Sequence, residues 1–152
     1  MREALKEAQI AFEEDEVPIG AVLVHEKKII AKGRNSVEVS ALAMGHAEVN
    51  CLKEGTKILK NWRLINTTLY VTVEPCIMCI GAIILSRVKK VIWGCPDLRH
   101  GGCGSITNLL TLSHPIHQVV GQGGLLEEEA KELLQTFFKK KRNNERNFRK
   151  TF

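Results

Sequence analysis

The chain has 152 residues, 44% of them hydrophobic, and a formal net charge of +5, which suits one folded domain spanning residues 1–152 and excludes a disordered polymer. Its longest apolar run, Cys76 to Leu85, is about half of the roughly 20 residues that cross a bilayer, and the charged opening "MREALKEAQIAFEEDE" lacks a secretory-signal pattern. Five cysteines are an odd number for a closed disulfide set, so a reduced, cytoplasmic protein without a membrane partner is expected.

In chain order, residues 2–13 place Leu5, Ala8, Ile10, Ala11 and Phe12 at roughly helical spacing, and Pro18 closes off any continuation. "IGAVLVH" and "KIIAKGRN", split by the polar His25-Glu26-Lys27-Lys28, predict a β-hairpin. "SVEVSALAM" has no clear pattern. "HAEVNCLKEGTKILK" predicts a helix burying Ala47, Cys51, Leu52, Ile58 and Leu59. "TTLYVTV" is rich in β-branched residues and predicts a strand.

The stretch from Cys76 to Ser86 predicts a buried helix, with Pro75 suited to its start. "KKVIWG" predicts a strand, "CPDLRHGGCGS" a Gly-rich loop, "SITNLLTL" a helical turn and "HQVVGQGG" a weak last strand. "LLEEEAKELLQTFFKKKR" opens an amphipathic helix over about 125–150, with Leu126, Ala130, Leu133, Leu134 and Phe137 on one face. A hairpin followed by alternating strands and helices predicts a three-layer α/β domain whose later strands are parallel.

The charge is unevenly placed. The last fourteen residues, "KKKRNNERNFRKTF", hold seven Lys or Arg against one Glu. Such a run suits a polyanionic partner such as nucleic acid, or a solvated helix end.

Two strand-to-helix junctions carry unusual chemistry. In "EPCIMC", Cys76 and Cys79 are three apart at a predicted helix start. They share a face, and the helix N-terminus favours thiolates. Two thiolates with the imidazole of His46, from "GHAEVN", make a three-ligand set for Zn2+ with a fourth position open to water. Zinc lowers the pKa of such a water from about 15.7 towards roughly 7. Glu48, two residues from His46, is placed to receive the proton and pass it on, which is what hydrolytic deamination requires.

Each motif also has a plainer reading. Cys-x-x-Cys serves as a redox pair or as two core cysteines, and Cys76, Cys79, Cys95 and Cys103 could form a closed four-thiolate structural site. That site would belong to a non-catalytic RNA-binding module and would leave His46 and Glu48 without a purpose. The two motifs together, with His46 and Cys76 thirty positions apart, form the H-x-E…P-C-x-x-C signature of zinc-dependent nucleobase deaminases.

From about Val17 to Arg142 the chain resembles the tRNA-specific adenosine deaminases. The likeness lies in "EVPIGAVLV", "GRN", "HAE", "NWRLINTTLYVTVEPCIMCIGA", "SRV", "GGCGS" and "FFKKKR". The resemblance implies hydrolysis of adenosine to inosine at the wobble position of a tRNA anticodon loop. It implies His46, Cys76 and Cys79 as zinc ligands and Glu48 as proton shuttle. It also implies Asn35 on the target base, Asp97 at the target ribose, and Phe138, Lys139, Lys141 and Arg142 on the anticodon loop. The implied fold is a cytidine deaminase-like α/β/α sandwich with a central mixed five-stranded sheet, usually a homodimer. One departure is "LAMG", Leu42 to Gly45, where many bacterial members carry Asp-Pro-Thr-Ala. The alternative with the same metal signature is a deaminase of a free base or nucleotide, of guanine or cytosine type.

Overall fold

The structure is a computed structural model that describes the backbone of residues 1–150 and the side chains of residues 1–144. The first helix, α1 (Arg2–Glu13), buries Ala4, Glu7, Ala8 and Ala11. These residues, three of them alanine, let it lie close on β1 (Gly20–His25). A Cβ on Gly20 would stand 2.1 Å from the Ala4 carbonyl oxygen, so only glycine fits there. The buried face is therefore narrower than the apolar spacing suggests, and Ile10 lies exposed.

Past the end of α1 the chain takes a left-handed turn at Asp15, φ 63°. The Glu16 N–H donates to Ala11 O, and the Glu16 side chain is fully buried. β1 then pairs antiparallel with β2 (Lys28–Arg34). The hairpin turns at Glu26 and Lys27, both at positive φ, the backbone twist that two-residue hairpin loops favour.

On its other side β1 pairs antiparallel with β3 (Thr67–Val73). β3 pairs parallel with β4 (Lys90–Cys95), and β4 with β5 (Val120–Gln122). The five strands lie in the order β2-β1-β3-β4-β5. The outermost strand on one side, β2, carries Lys28, Lys32 and Arg34. On the other side, β5 is only 3 residues long.

Between β2 and β3 run a short α2 (Val37–Ser40) and α3 (Ala47–Leu59). β3 feeds α4 (Ile77–Leu85), and the chain closes with α5 (Glu127–Lys150). A 3-10 turn, Leu109–Thr111, follows the Gly-rich loop. α1 and α5 pack together over one face of the sheet, and α3 and α4 over the other. This is the expected three-layer sandwich around a mixed five-stranded sheet.

The main core joins Leu23, Leu64, Leu69, Val71, Ile80, Ile83, Val88 and Val91 between the sheet and α3 and α4. Each such side chain contributes roughly 1.5–3 kcal/mol when fully buried. A smaller cluster of Val73, Cys95 and Ala130 lies under α5. Three expectations change. Ile58 is exposed near the end of α3. α4 is buried on one side only: Cys79, Ile80 and Ile83 face inward while Ile77, Met78 and Leu85 are exposed. Pro75 precedes the capping residue Cys76 and so stands just outside the helix. Among the described residues no helix is long and apolar enough to cross a membrane.

Candidate metal and catalytic site

Two helix N-termini meet at the site. His46 caps α3 and Cys76 caps α4, both with extended backbone angles. Close packing of α3 on β2 sets the position of His46. A Cβ on Gly33 would fall 2.4 Å from both Ala47 O and Cys51 N, so the helix start approaches the strand as nearly as glycine permits. One turn into α3, Asn50 ties the two together by donating from Nδ2 to Arg34 O at 2.9 Å and Ser36 Oγ at 3.1 Å.

The result is a compact trio. His46 Nδ1 lies 3.6 Å from Cys76 Sγ and 3.4 Å from Cys79 Sγ, and the three ligand atoms all lie within 4.8 Å of one another. Tetrahedral zinc bonds of about 2.0–2.1 Å to nitrogen and about 2.3 Å to sulfur separate those atoms by about 3.5 Å. The donor set and its spacing therefore fit zinc. Cys95 and Cys103 belong to separate apolar clusters, and among the described residues the only group of potential ligands is His46, Cys76 and Cys79. The four-thiolate arrangement is not assembled.

The electrostatics favour a cation. A hydrogen bond with Cys79, then one with His46, lowers the Cys76 thiol to about 4 against the cost of burial. Cys79 is correspondingly pushed up by sharing its proton with Cys76 and by burial. The His46 imidazole is raised by its hydrogen bond to Cys76. Glu48 sits in the first turn of α3, 4% exposed. Burial raises its carboxyl to about 7, and the nearby Cys76 charge adds to the rise, against its own backbone N–H and His46. A buried acid titrating near neutrality can both accept and donate a proton.

The family model of the MafB19-like deaminases matches residues 1–142. The tRNA-specific adenosine deaminase of Bacillus subtilis (strain 168) is 46% identical over 150 residues, 99% of this chain and 93% of its own. This chain belongs to the tRNA-specific adenosine deaminase family. A solved structure from a study of A-to-I editing by tRNA:A34 deaminases at the wobble position superposes with a TM-score of 0.85 at 36% identity, covering 88% of this chain and 97% of that one. A guanine deaminase from Nitrosomonas europaea has a TM-score of 0.73 at 22% identity, covering 90% of this chain and 81% of that one; at that identity it shares the fold alone. The cytidine deaminase-like fold is thus the one observed.

The other residues of the deaminase divide into two groups. Asn35, at the end of β2, is 5% exposed. Its backbone N–H donates to Ile19 O, and Ser36 N–H donates to Gly45 O, which brings the strand end beside the residue before His46. Asp97 lies in the loop after β4. Its Oδ1 accepts from the N–H groups of Arg99 at 2.9 Å and His100 at 3.2 Å, so one carboxylate oxygen already builds the turn. In α5, Phe137 is buried in edge-to-face contact with Phe12, and Phe138 is exposed. Lys139 and Arg142 are exposed. Lys141, by contrast, donates to Asp15 Oδ2 at 2.6 Å. The side chains of the basic run beyond residue 144 lie outside the described residues.

Two of the buried carboxylates, Glu74 and Glu16, carry no role in the sequence motifs but hold parts of the site in place. Glu74, between β3 and Pro75, accepts from the backbone N–H groups of Asp97, Cys103 and Ser105 at 3.1, 2.8 and 3.1 Å, and from the Ser105 hydroxyl. Burial raises its carboxyl, but these hydrogen bonds outweigh that and hold it below the usual range. It fastens the Gly-rich loop against the Cys76 turn, where Gly102 N–H also donates to Pro75 O. The signal was its place directly before Pro-Cys. The second carboxylate, Glu16, accepts from Asn35 and from α2. It was hidden at the end of an acidic run.

Proposed function

We infer that the protein hydrolyses adenosine to inosine at the wobble position of a tRNA anticodon loop, releasing ammonia. The observation that carries this reading is the trio of His46 Nδ1, Cys76 Sγ and Cys79 Sγ with the buried Glu48 two residues along the same helix. His46, Cys76 and Cys79 would hold Zn2+, which when bound acts as a Lewis acid on a water molecule. Glu48 takes up the proton from that water. It would deliver that proton to N1 of the purine ring, then collect the hydroxyl proton of the adduct at C6 and pass it to the departing amine, without itself being a metal ligand. Asn35 contacts the target base, and Asp97 offers its remaining oxygen, Oδ2, to the ribose side.

The exposed Phe138, Lys139 and Arg142 suit the loop's unpaired bases and phosphates, and Lys141 joins them by releasing Asp15. A loop base is already partly unstacked, so bringing it to the metal costs a few kcal/mol at most. The protein works in the cytoplasm, where its thiols stay reduced. It acts as a homodimer. In support, Ile77, Met78 and Leu85 line the outer side of α4 with Gly81 between them, where an added Cβ would meet open space.

The test is inosine formation in an anticodon stem-loop carrying adenosine at the wobble position, with free guanine and cytosine supplied as competitors. Inosine in the RNA with both free bases untouched is expected. Consumption of guanine or cytosine with the RNA unchanged overturns the reading in favour of a free-base deaminase.

A further inference from the structure

Glu16 is fully buried and belongs to none of the ion pairs among the described residues. A carboxylate in that position destabilises a fold unless hydrogen bonds replace its lost water. Glu16 has two such bonds. Oε1 accepts the backbone N–H of Val39 in α2 at 2.8 Å, and Oε2 accepts from Asn35 Nδ2 at 2.9 Å. The second bond has a chemical consequence. The two ends of an Asn amide differ only in being a donor or an acceptor. With the Asn35 backbone held to Ile19 O, the amide has two orientations, related by a half turn about the last side-chain bond. One of them brings Oδ1 against the Glu16 carboxylate, oxygen to oxygen, and is excluded. Glu16 therefore selects the orientation in which Nδ2 faces inward and Oδ1 faces away.

We propose that Glu16 is a positioning residue that fixes the carbonyl end of Asn35 towards the target base, so that the site favours a base presenting an amine over one presenting a carbonyl. This rests on Asn35 being the base contact, as read above. The only N–H donor on the adenine base of a nucleoside is its exocyclic amine, so a locked acceptor at Asn35 pairs with the group that reaction removes. In the product, inosine, an oxygen takes that place and faces the Asn35 oxygen. Two acceptors repel, so the same lock that holds substrate weakens the hold on product. An amide free to rotate would offer its N–H to the product's oxygen and lose the distinction.

The experiment is a double-mutant cycle on the zinc-loaded enzyme with the adenosine-bearing stem-loop. It uses Glu16→Gln, Asn35→Ala and their combination, with zinc content and thermal stability measured for each. Glu16→Gln keeps the shape, but with its oxygen still accepting from Val39 its amide N–H faces Asn35, where it excludes Nδ2 and turns the Asn35 amide over. A fall of about ten- to a hundredfold in kcat/KM is expected, with no further loss when Asn35→Ala is added. Inhibition by the inosine-bearing stem-loop, relative to KM, should strengthen several-fold in Glu16→Gln, a change that merely loosening α2 would not produce.

Additive losses in the cycle, or unchanged product inhibition in Glu16→Gln, overturn the proposal while leaving the deaminase reading intact. Wild-type kinetics in Asn35→Ala overturn both this proposal and the assignment of Asn35. Absence of inosine with the wild-type enzyme overturns the function itself. Where Glu16→Gln fails to hold zinc, the double variant Glu16→Gln with Asn35→Asp replaces it. There the amide introduced at position 16 donates to one oxygen of the new carboxylate, and the other oxygen faces the base. That pair should exceed Asn35→Asp alone by about tenfold or more in kcat/KM, and equal activity sinks the proposal.

Discussion

Cys76 Sγ lies 3.6 Å from His46 Nδ1 although the two are thirty positions apart in the chain. Each is the capping residue of its own helix, so the site is a meeting of two helix starts, and its ligands stand or fall together. His46→Ala, Cys76→Ala and Cys79→Ala should each lose bound zinc and at least a hundredfold in activity. Cys95→Ala and Cys103→Ala should keep full zinc. Elemental analysis of the purified variants decides this, and zinc lost from Cys95→Ala would return the four-thiolate site to consideration.

Glu48→Gln should retain zinc and lose about 10²–10⁴ in kcat, the usual range for a general acid–base group. The readout is single-turnover inosine formation at saturating stem-loop, beside the metal content. Near-normal turnover in this variant would remove Glu48 from the proton path.

Glu74→Ala should loosen the loop from Asp97 to Ser105, because three backbone N–H groups lose one shared acceptor. A cost of about 2–3 kcal/mol is expected, since part of that loop can turn to water. Urea unfolding measures the cost, and amide exchange should speed up first at Asp97, Cys103 and Ser105. Protection unchanged at those three amides would show that other contacts hold the loop.

Lys139→Ala and Arg142→Ala should weaken stem-loop binding and lower its salt slope by about 0.7–0.9 per phosphate contact removed. Titrating affinity against salt for each variant is the measurement, and slopes equal to wild type would take these side chains off the RNA.

Lys141 and Asp15 carry a pH signature. The hydrogen bond from Lys141 holds the Asp15 carboxyl below its ordinary 3.8. A depressed acid contributes stability above its unfolded pKa and loses it as pH falls through the folded one. Lys141→Ala should therefore return Asp15 to its ordinary range, seen by NMR titration of its carboxyl. The pair is exposed, so the unfolding midpoint at neutral pH should barely move. Stem-loop binding should shift Asp15 in the same direction if Lys141 leaves it for phosphate.

The site's ligands were legible in the sequence because their chemistry is local. Cys76 and Cys79 share a helix face at spacing three, and His46 with Glu48 opens the next helix upstream. The hairpin and α5 were legible for a similar reason, through two apolar runs split by a polar turn in one and helical spacing in the other. Glu16 was not, since three acidic neighbours, Glu13, Glu14 and Asp15, make it read as part of a solvated run. Only the left-handed turn at Asp15 sends it inward, and a non-glycine residue in that conformation leaves no compositional mark. The exposed side of α4 was missed because an almost wholly apolar helix carries no periodicity to show which side faces water.

Neither border of the sheet invites a neighbour. One ends in Lys28, Lys32 and Arg34 along β2, and the other in the 3-residue β5, and charge or brevity at such a border discourages strand-to-strand accretion. The two borders therefore leave the helical layers as the surface open to a second copy. The proposed homodimer would then close on itself through helices instead of ripening into fibres.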